Sequence, residues 1–294
     1  MNRLFLSGCG TALLTPFNNN NEVDYDAFAR TVERQVDAGI HFLVPLGSTA
    51  ETPCLDDDER INLLECCREH AHGLPLVVGA GTNSFVHTIK NMKLLDEHGV
   101  DAFLIVVPYY NKPTQEGLYQ YFKEIAQSTS KDIVLYNVPG RTGVNLATET
   151  TLRLAEIDNI VGIKEASSNY QQISEIICNA PEGFSVLSGN DNETLSLIAS
   201  GAHGVISVAS NIAPALMVQL VNAIRNCDLI TARNLHFRLM PLFKNCFVES
   251  NPIPAKAAMH ALGLMHNILR SPLTPASQST YDLMLDTLRD LNML

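Results

Sequence analysis

Lys164 ends a short apolar segment, and this position suggests covalent chemistry. The segment Asn159–Asn169 reads NIVGIKEASSN, and its β-branched residues predict a short buried strand. An ammonium group at the end of such a strand is partly removed from water, which is unfavourable unless the group is paired or neutral. Two interpretations therefore stand. Lys164 is held in a structural ion pair with Glu165, or it is a nucleophile that forms an imine with a carbonyl compound.

The geometry of a strand separates these two interpretations. Adjacent residues of a β-strand point to opposite faces of the sheet, so Glu165 does not readily neutralise Lys164. This favours the nucleophile, provided that other polar side chains lie close to the amine.

The elements that position Lys164 follow a regular alternation of strand and helix. Eight apolar strand candidates alternate with helical segments, which is typical of a closed parallel (β/α)8 barrel. An open doubly wound sheet is the alternative, but such a sheet would carry a phosphate-binding loop after its first strand, and GCGTALLTPF does not open a helix in that way. The predicted strands are Gly10–Leu14, His41–Leu46, Leu76–Ala80, Ala102–Val107, Asp132–Asn137, Val161–Lys164, Ser185–Ser188 and Gly204–Val208.

Beyond Asp228 the strand signals stop and helical segments follow. We therefore predict a catalytic α/β TIM barrel over residues 1–227 and a C-terminal helical appendage over residues 228–294. The predicted barrel helices are Tyr25–Ala38, Asp57–His70, Val86–Glu97, Gln115–Gln127 and Tyr170–Asn179, with N-caps at Asp24, Asp56 and Ser84.

Several predicted strands end in polar residues, and in a barrel those ends meet at one mouth. The second strand is followed by Ser48 and Thr49, the fourth by Tyr109 and Tyr110, and the fifth ends at Tyr136 and Asn137. This convergence strengthens the interpretation of Lys164 as a nucleophile. Ser48 and Thr49 could also form only a turn or helix cap, and Tyr136 could be a core aromatic or an acid/base group.

Arg141 lies in YNVPGRTG, where Pro139 and Gly140 predict a tight turn after the fifth strand. A guanidinium at the barrel mouth can hold a carboxylate with two hydrogen bonds. A solvated loop charge is the other interpretation.

Composition limits the partners of the chain. The 294 residues carry a net charge of −11, which argues against nucleic acid and anionic membranes as partners. We expect no signal segment, no membrane span and a cytoplasmic location. The seven cysteines have no CxxC spacing and the nine histidines no HExxH pairing, so we expect reduced thiols, no metal site and no cofactor.

Taken together, the motifs resemble those of the dihydrodipicolinate synthase family of pyruvate-dependent aldolases, along essentially the whole chain. The resemblance rests, in chain order, on GSTAET, PYYNKPTQEGLYQYF, YNVPGRTG, GIKEAS, SGND, GVISVASN, NPIPAK and SPLTP. It implies a lyase that condenses pyruvate with L-aspartate 4-semialdehyde on the route to diaminopimelate and lysine, and a homotetramer built from two dimers.

The resemblance also implies residue roles. Lys164 would form the imine with pyruvate, and Tyr136 would act as acid/base in a proton relay with Ser48 and with Tyr110, the last supplied across a dimer interface. Substrate binding is implied for three positions: the pyruvate carboxylate at Thr49, the carboxylate of the semialdehyde at Arg141, and the backbone carbonyl of Ile206 near the substrate.

The loop after the second strand departs from the family pattern, which is usually GTTGE. Ser48 keeps a hydroxyl but lacks the β-branch that restricts its rotamer. Ala50 replaces a glycine and would be strained if the loop required a positive φ there.

Two alternatives to this function remain open. The loop letters GST are typical of N-acetylneuraminate lyase, which shares the barrel and the lysine, whereas Arg141 and GIKEAS favour the dipicolinate branch. A non-catalytic barrel that binds a keto acid is the second alternative.

Many members of this family bind L-lysine at a dimer interface as a feedback inhibitor. The corresponding positions here are Thr52, Pro53, Asp57, Arg60, Asn83, His87 and Tyr109. His87 stands where inhibited members carry a glutamate, so the resemblance predicts weak inhibition by lysine or none.

Overall fold

Eight parallel strands form the centre of the molecule in the computed structural model, which describes residues 3–294. Continuous hydrogen-bonded pairing runs in the spatial order β2-β1-β8-β7-β6-β5-β4-β3. The strands are β1 Gly8–Ala12, β2 Phe42–Val44, β3 Val77–Gly79, β4 Ala102–Val106, β5 Asp132–Asn137, β6 Ile160–Glu165, β7 Ser185–Ser188 and β8 Gly204–Ser207.

The barrel is nearly closed between β2 and β3, where the ladder is reduced to a few contacts. Leu43 bridges Leu76 in parallel orientation, and its backbone N–H donates to the carbonyl of Pro75 at 2.9 Å. A second backbone bond joins the N–H of Gly79 to the carbonyl of Pro45 at 3.0 Å. The predicted TIM barrel is thus confirmed.

Helices accompany the strands throughout the described part of the chain. The helices of the barrel are α1 Tyr25–Asp37, α2 Asp57–His70, α3 Phe85–Leu95, α4 Gln115–Gln127, α5 Pro139–Thr142, α6 Thr148–Ala155, α7 Tyr170–Asn179, α8 Thr194–Ala199 and α9 Pro214–Arg225. The C-terminal segment contributes α10 Leu229–Asn245, α11 Ile253–Ala261 and α12 Gln278–Asp290.

The helix starts follow from side-chain capping. Asp24 accepts from the Ala27 N–H, Asp56 forms a capping box with Glu59, and Ser84 accepts from the His87 N–H. All three predicted N-caps are confirmed, because each side chain satisfies a backbone N–H that a helix start leaves without a partner.

Two apolar layers hold the barrel together. The inner layer fills the barrel with alternate strand residues such as Phe42, Leu104, Val134 and Ile206. The outer and larger layer packs the other strand faces against the helices. Tyr136 belongs to the inner layer, so the fifth strand directs this side chain toward the barrel axis.

The C-terminal segment packs against the barrel and is not a separate tail. The observed α10 begins at Leu229, close to the predicted start of the appendage, and the division at residues 227 and 228 stays a prediction. Contacts from α11 and its flanking loops reach the loop that follows β2, as described below. None of the helices within residues 3–294 is both long enough and apolar enough to span a membrane.

Candidate active site

Lys164 and Tyr136 are paired on neighbouring strands at the barrel mouth. They occupy matching positions of the β5–β6 ladder, and the Lys164 Nζ lies 4.4 Å from the centre of the Tyr136 ring. Lys164 is 5% exposed and Tyr136 is 8% exposed. The register of β5 and β6 therefore places the amine of Lys164 next to the phenol of Tyr136, in a region with little access to water.

Glu165 lies on the opposite face of β6 from Lys164, as strand alternation predicts. Its oxygens accept hydrogen bonds from Asn137 Nδ2 at 3.1 Å, from the Ser167 N–H at 2.8 Å and from Gln172 Nε2 at 3.1 Å. Burial raises the pKa of this carboxyl, and the hydrogen bonds oppose the rise. The carboxylate is satisfied by amides, so it is not the partner of Lys164.

A second buried carboxylate, Asp191, lies after β7. One of its oxygens accepts from the backbone N–H groups of Val208 and Ala209, at 3.0 and 2.9 Å, and so fixes the chain just after β8. Burial raises the pKa of Asp191, while hydrogen bonds and the positive charge of Lys164 lower it. The mouth thus contains a second buried carboxyl group, at the end of the segment Gly189–Asp191 that follows β7.

A cavity of about 420 Å³ opens at the mouth. It brings together five of the seven predicted catalytic and substrate-binding residues, since its walls include Ser48, Thr49, Tyr136, Arg141 and Lys164. A volume of this size accommodates a small organic substrate. Most of the exposed cavity wall is apolar, so the few polar groups determine how a ligand is oriented.

Tyr110 and Ile206 are the two predicted residues outside the cavity lining. Tyr110 has a φ of 73° and is 88% exposed, so its ring projects away from this protomer. Ile206 is fully buried, with its side chain in the inner core layer. Only its backbone carbonyl, the group that was predicted, is a candidate for substrate contact.

The loop after β2 is a short 3-10 turn, Ser48–Ala50, followed by Glu51 in the left-handed region with a φ of 56°. Ala50 has no positive φ, so the condition under which it would be strained is not met. The left-handed position falls one residue later, because the turn itself is right-handed. Two hydroxyl groups brace the loop: Thr15 donates to the Ala50 carbonyl and Thr52 to the Gly47 carbonyl.

Glu51 is held by the C-terminal segment. Its Oε1 lies 2.5 Å from Lys256 Nζ, and both side chains are fully buried. Its Oε2 accepts from the Arg270 backbone N–H at 3.0 Å. Burial lowers the pKa of Lys256 to about 8, although Glu51 favours its charged form. The strained position of Glu51 is thus held in place by residues more than 200 positions away in sequence.

Asn251 connects the same C-terminal segment to two cavity residues. Its Nδ2 donates to Thr49 Oγ1 at 2.9 Å, and its backbone carbonyl accepts from Arg141 Nη2 at 3.3 Å. Sequence reasoning did not assign Asn251 a role. The available signal was its place at the start of NPIPAK, one of the motifs that carry the family resemblance.

The predicted lysine-binding positions surround one end of the cavity. Thr52, Pro53, Arg60 and Tyr109 line it together with Lys164. Asp57 is paired with Arg60 at 3.5 Å and with Lys90 at 3.1 Å, whereas Asn83 and His87 lie outside the lining. The crevice is therefore continuous with the space around Lys164.

Comparison with known proteins gives a consistent result. A model of the dihydrodipicolinate synthetase family matches residues 5–291. A relative named 4-hydroxy-tetrahydrodipicolinate synthase, from Thermotoga neapolitana, is 47% identical and the match covers 98% of this chain and 99% of that one.

Solved structures agree with the sequence relatives. The crystal structure of dihydrodipicolinate synthase from Thermotoga maritima is 45% identical, with a TM-score of 0.97 over 99% of this chain and 100% of that chain. A structure described as the first monomeric dihydrodipicolinate synthase variant is 45% identical, with a TM-score of 0.96 over 98% of this chain and 97% of that chain.

Proposed function

Because the chain belongs to the dihydrodipicolinate synthetase family, we propose that it condenses pyruvate with L-aspartate 4-semialdehyde to 4-hydroxy-tetrahydrodipicolinate, with Lys164 as the imine-forming residue. The observation that carries this proposal is the pairing of Lys164 with Tyr136 in an otherwise apolar mouth. There the neighbouring Glu165 is turned away from the amine, and a phenol lies close enough to exchange protons with bound substrate.

The reaction begins with attack of the Lys164 amine on the keto carbon of pyruvate. Loss of water gives an iminium ion, and loss of a methyl proton converts it to an enamine. The enamine carbon then attacks the aldehyde carbon of the semialdehyde. The amino group of that substrate closes the ring at the imine carbon and displaces Lys164.

Tyr136 carries the protons of these steps in our proposal. Its ring packs beside the Lys164 amine, and Ser48 lines the same cavity. Tyr110 of a second copy would complete the relay, since Tyr110 in its own protomer projects into solvent. Exchange through a chain of hydroxyls contributes typically 10²- to 10⁴-fold to rate.

The two carboxylates of the substrates need two separate positive or hydrogen-donating groups. The Thr49 hydroxyl lies in the cavity wall and suits the carboxylate of pyruvate. The Arg141 guanidinium, exposed at the entrance, suits the carboxylate of the semialdehyde, and the backbone carbonyl of Ile206 would face the substrates from β8.

We propose a homotetramer, a dimer of dimers, located in the cytoplasm. The dimer is supported by a cluster of exposed apolar side chains beside the mouth: Phe85, Val86, Tyr109 and Tyr110. The segment just before α3 and the loop after β4 are joined by a hydrogen bond from Asn111 Nδ2 to the Asn83 carbonyl at 2.8 Å. Val86→Asp should yield smaller particles in analytical ultracentrifugation, whereas Val248→Asp, at an exposed valine elsewhere, should not.

We propose further that L-lysine inhibits this enzyme weakly. Asp57 is already shared between Arg60 and Lys90, so it does not replace the carboxylate that is missing at His87. Strong inhibition at ordinary cellular lysine concentrations would contradict this. A His87→Glu variant that gained sensitivity would support the electrostatic argument.

A coupled assay tests the proposed reaction. Purified protein should consume pyruvate only when the semialdehyde is also present, and it should not cleave N-acetylneuraminate. Cleavage of neuraminate with no use of the semialdehyde would contradict the proposal.

A further inference from the structure

Asn251 lies behind the cavity wall, where it contacts two residues that face the substrates. It is 5% exposed and belongs to the loop between α10 and α11, more than 200 residues after Thr49. The side chain holds Thr49 and the backbone carbonyl holds Arg141. One residue therefore contacts both groups that we assign to substrate carboxylates.

The hydrogen bond from Asn251 determines what the Thr49 hydroxyl can do. A hydroxyl has one hydrogen and two lone pairs, so an oxygen that accepts from Asn251 Nδ2 still has its hydrogen to donate. Within residues 3–294 no protein acceptor takes that hydrogen. Thr49 is 2% exposed and lines the cavity, and its β-branch restricts rotation. The hydrogen of the Thr49 hydroxyl is therefore free to be donated to a ligand in the cavity.

The other end of the amide is also informative. Asn251 Oδ1 is buried and has no hydrogen-bond partner in the described part of the chain. A buried polar atom without a partner is costly, so the amide is retained against a cost in stability. Costly local arrangements of this kind concentrate at functional sites. We therefore expect the Asn251 amide to orient a neighbouring group at the site rather than to stabilise the fold.

We propose that Asn251 is a positioning residue that sets the Thr49 hydroxyl as a hydrogen-bond donor for the pyruvate carboxylate, while its backbone carbonyl holds Arg141 for the second carboxylate. The inference rests on the proposed function. The proposal predicts different effects on the two substrates. A change of the Asn251 side chain disturbs Thr49 and therefore the binding of pyruvate. The hydrogen bond to Arg141 comes from the Asn251 backbone, so the binding of the semialdehyde survives that change.

Asn251→Asp is the sharpest variant, because it replaces the donor Nδ2 by an acceptor of similar shape. The Thr49 hydroxyl would then donate to the introduced carboxylate and no longer to pyruvate. We expect the KM for pyruvate to rise at least about tenfold, as for loss of a hydrogen bond to a charged group, with the KM for the semialdehyde changed less than about threefold.

Asn245→Asp is the matched control. Asn245 is also a buried asparagine of the C-terminal segment, and its Nδ2 donates to the Thr287 hydroxyl at 2.8 Å, with neither residue in the cavity lining. This variant should lose thermal stability and keep both KM values. It separates an effect of the amide on substrate binding from a general effect on folding.

A double-mutant cycle tests whether Asn251 acts through Thr49. Asn251→Ala alone should raise the KM for pyruvate, but in a Thr49→Val background it should add less than about twofold. Losses that multiply across the two sites would overturn the proposal, and so would an Asn251→Asp variant that raises both KM values equally.

If the wild-type protein formed no adduct with pyruvate at Lys164, the proposed function itself would fail, and this inference with it.

Discussion

At the scale of single residues, the proposed chemistry depends on a few groups that differ in how firmly they are held. Lys164 and Tyr136 are fixed by strand pairing, whereas Ser48 and Arg141 are exposed at the entrance. In the proposed mechanism, burial of the mouth keeps water from competing with Tyr136 for protons. The exposed side chains of Ser48 and Arg141 have more freedom to adjust to the second substrate that we propose.

Tyr136→Phe should separate imine formation from turnover. The ring packing beside Lys164 is retained and only the hydroxyl is lost, so the pyruvate imine should still form. We expect kcat to fall by about 10²- to 10⁴-fold, the usual contribution of a positioned acid/base. Steady-state kinetics with both substrates measures this loss. A kcat within about threefold of wild type would assign the proton transfer to another group.

At the scale of elements, the loop after β2 depends on the C-terminal segment for its shape. The ion pair between Glu51 and Lys256 and the amide of Asn251 reach the loop from the start of α11 and from the loop before it. The barrel strands alone therefore do not complete the mouth. The C-terminal helical segment is therefore a structural part of the candidate active site.

Lys256→Met should destabilise the protein by about 3–5 kcal/mol, because it leaves the Glu51 carboxylate buried without its partner. The double variant Lys256→Met with Glu51→Gln removes both charges and should recover much of the loss. Urea unfolding of the three proteins measures these free energies. If the free energy of unfolding of Lys256→Met lay within about 1 kcal/mol of the wild-type value, the buried pair would not hold the loop.

Much of the element order could be predicted from the sequence, because buried strands and capped helices depend on local patterns. Asp57–His70, Gln115–Gln127 and Tyr170–Asn179 were predicted with the observed bounds. The first strand was predicted two residues late, at Gly10, because its start at Gly8 depends on pairing with Gly204 of β8. Likewise the role of Asn251 depends on a contact across 202 positions, which no local pattern indicates.

At the scale of the whole molecule, buried thiols make folding sensitive to alkaline pH. Cys9, Cys67 and Cys246 are fully buried, and burial raises the pKa of each thiol. In the unfolded chain these thiols ionise near a pH of about 8.5. Above that pH the folded protein binds more protons than the unfolded chain, so its stability falls as pH rises.

The expected decline is about 1.4 kcal/mol per pH unit for each thiol. Lys256 acts in the opposite direction: its pKa is lowered to about 8 in the folded protein, so its contribution to stability rises between that pH and the usual 10.5. Because three thiols oppose one lysine, we expect a net fall of the unfolding free energy as the pH rises above about 8.5. Urea unfolding at several pH values measures this fall, and replacing the three cysteines with alanine should make it smaller. An unchanged slope in that variant would contradict the assignment to thiols.

The central claim is that Lys164 carries the pyruvate imine, and borohydride trapping tests it most directly. The protein is incubated with pyruvate, reduced with borohydride, digested and mapped by mass spectrometry. We predict one reduced pyruvate adduct, located on Lys164, and none in Lys164→Arg, whose guanidinium stays protonated. An adduct on a different lysine, or full turnover by a wild-type protein in which Lys164 remains unmodified, would contradict the account.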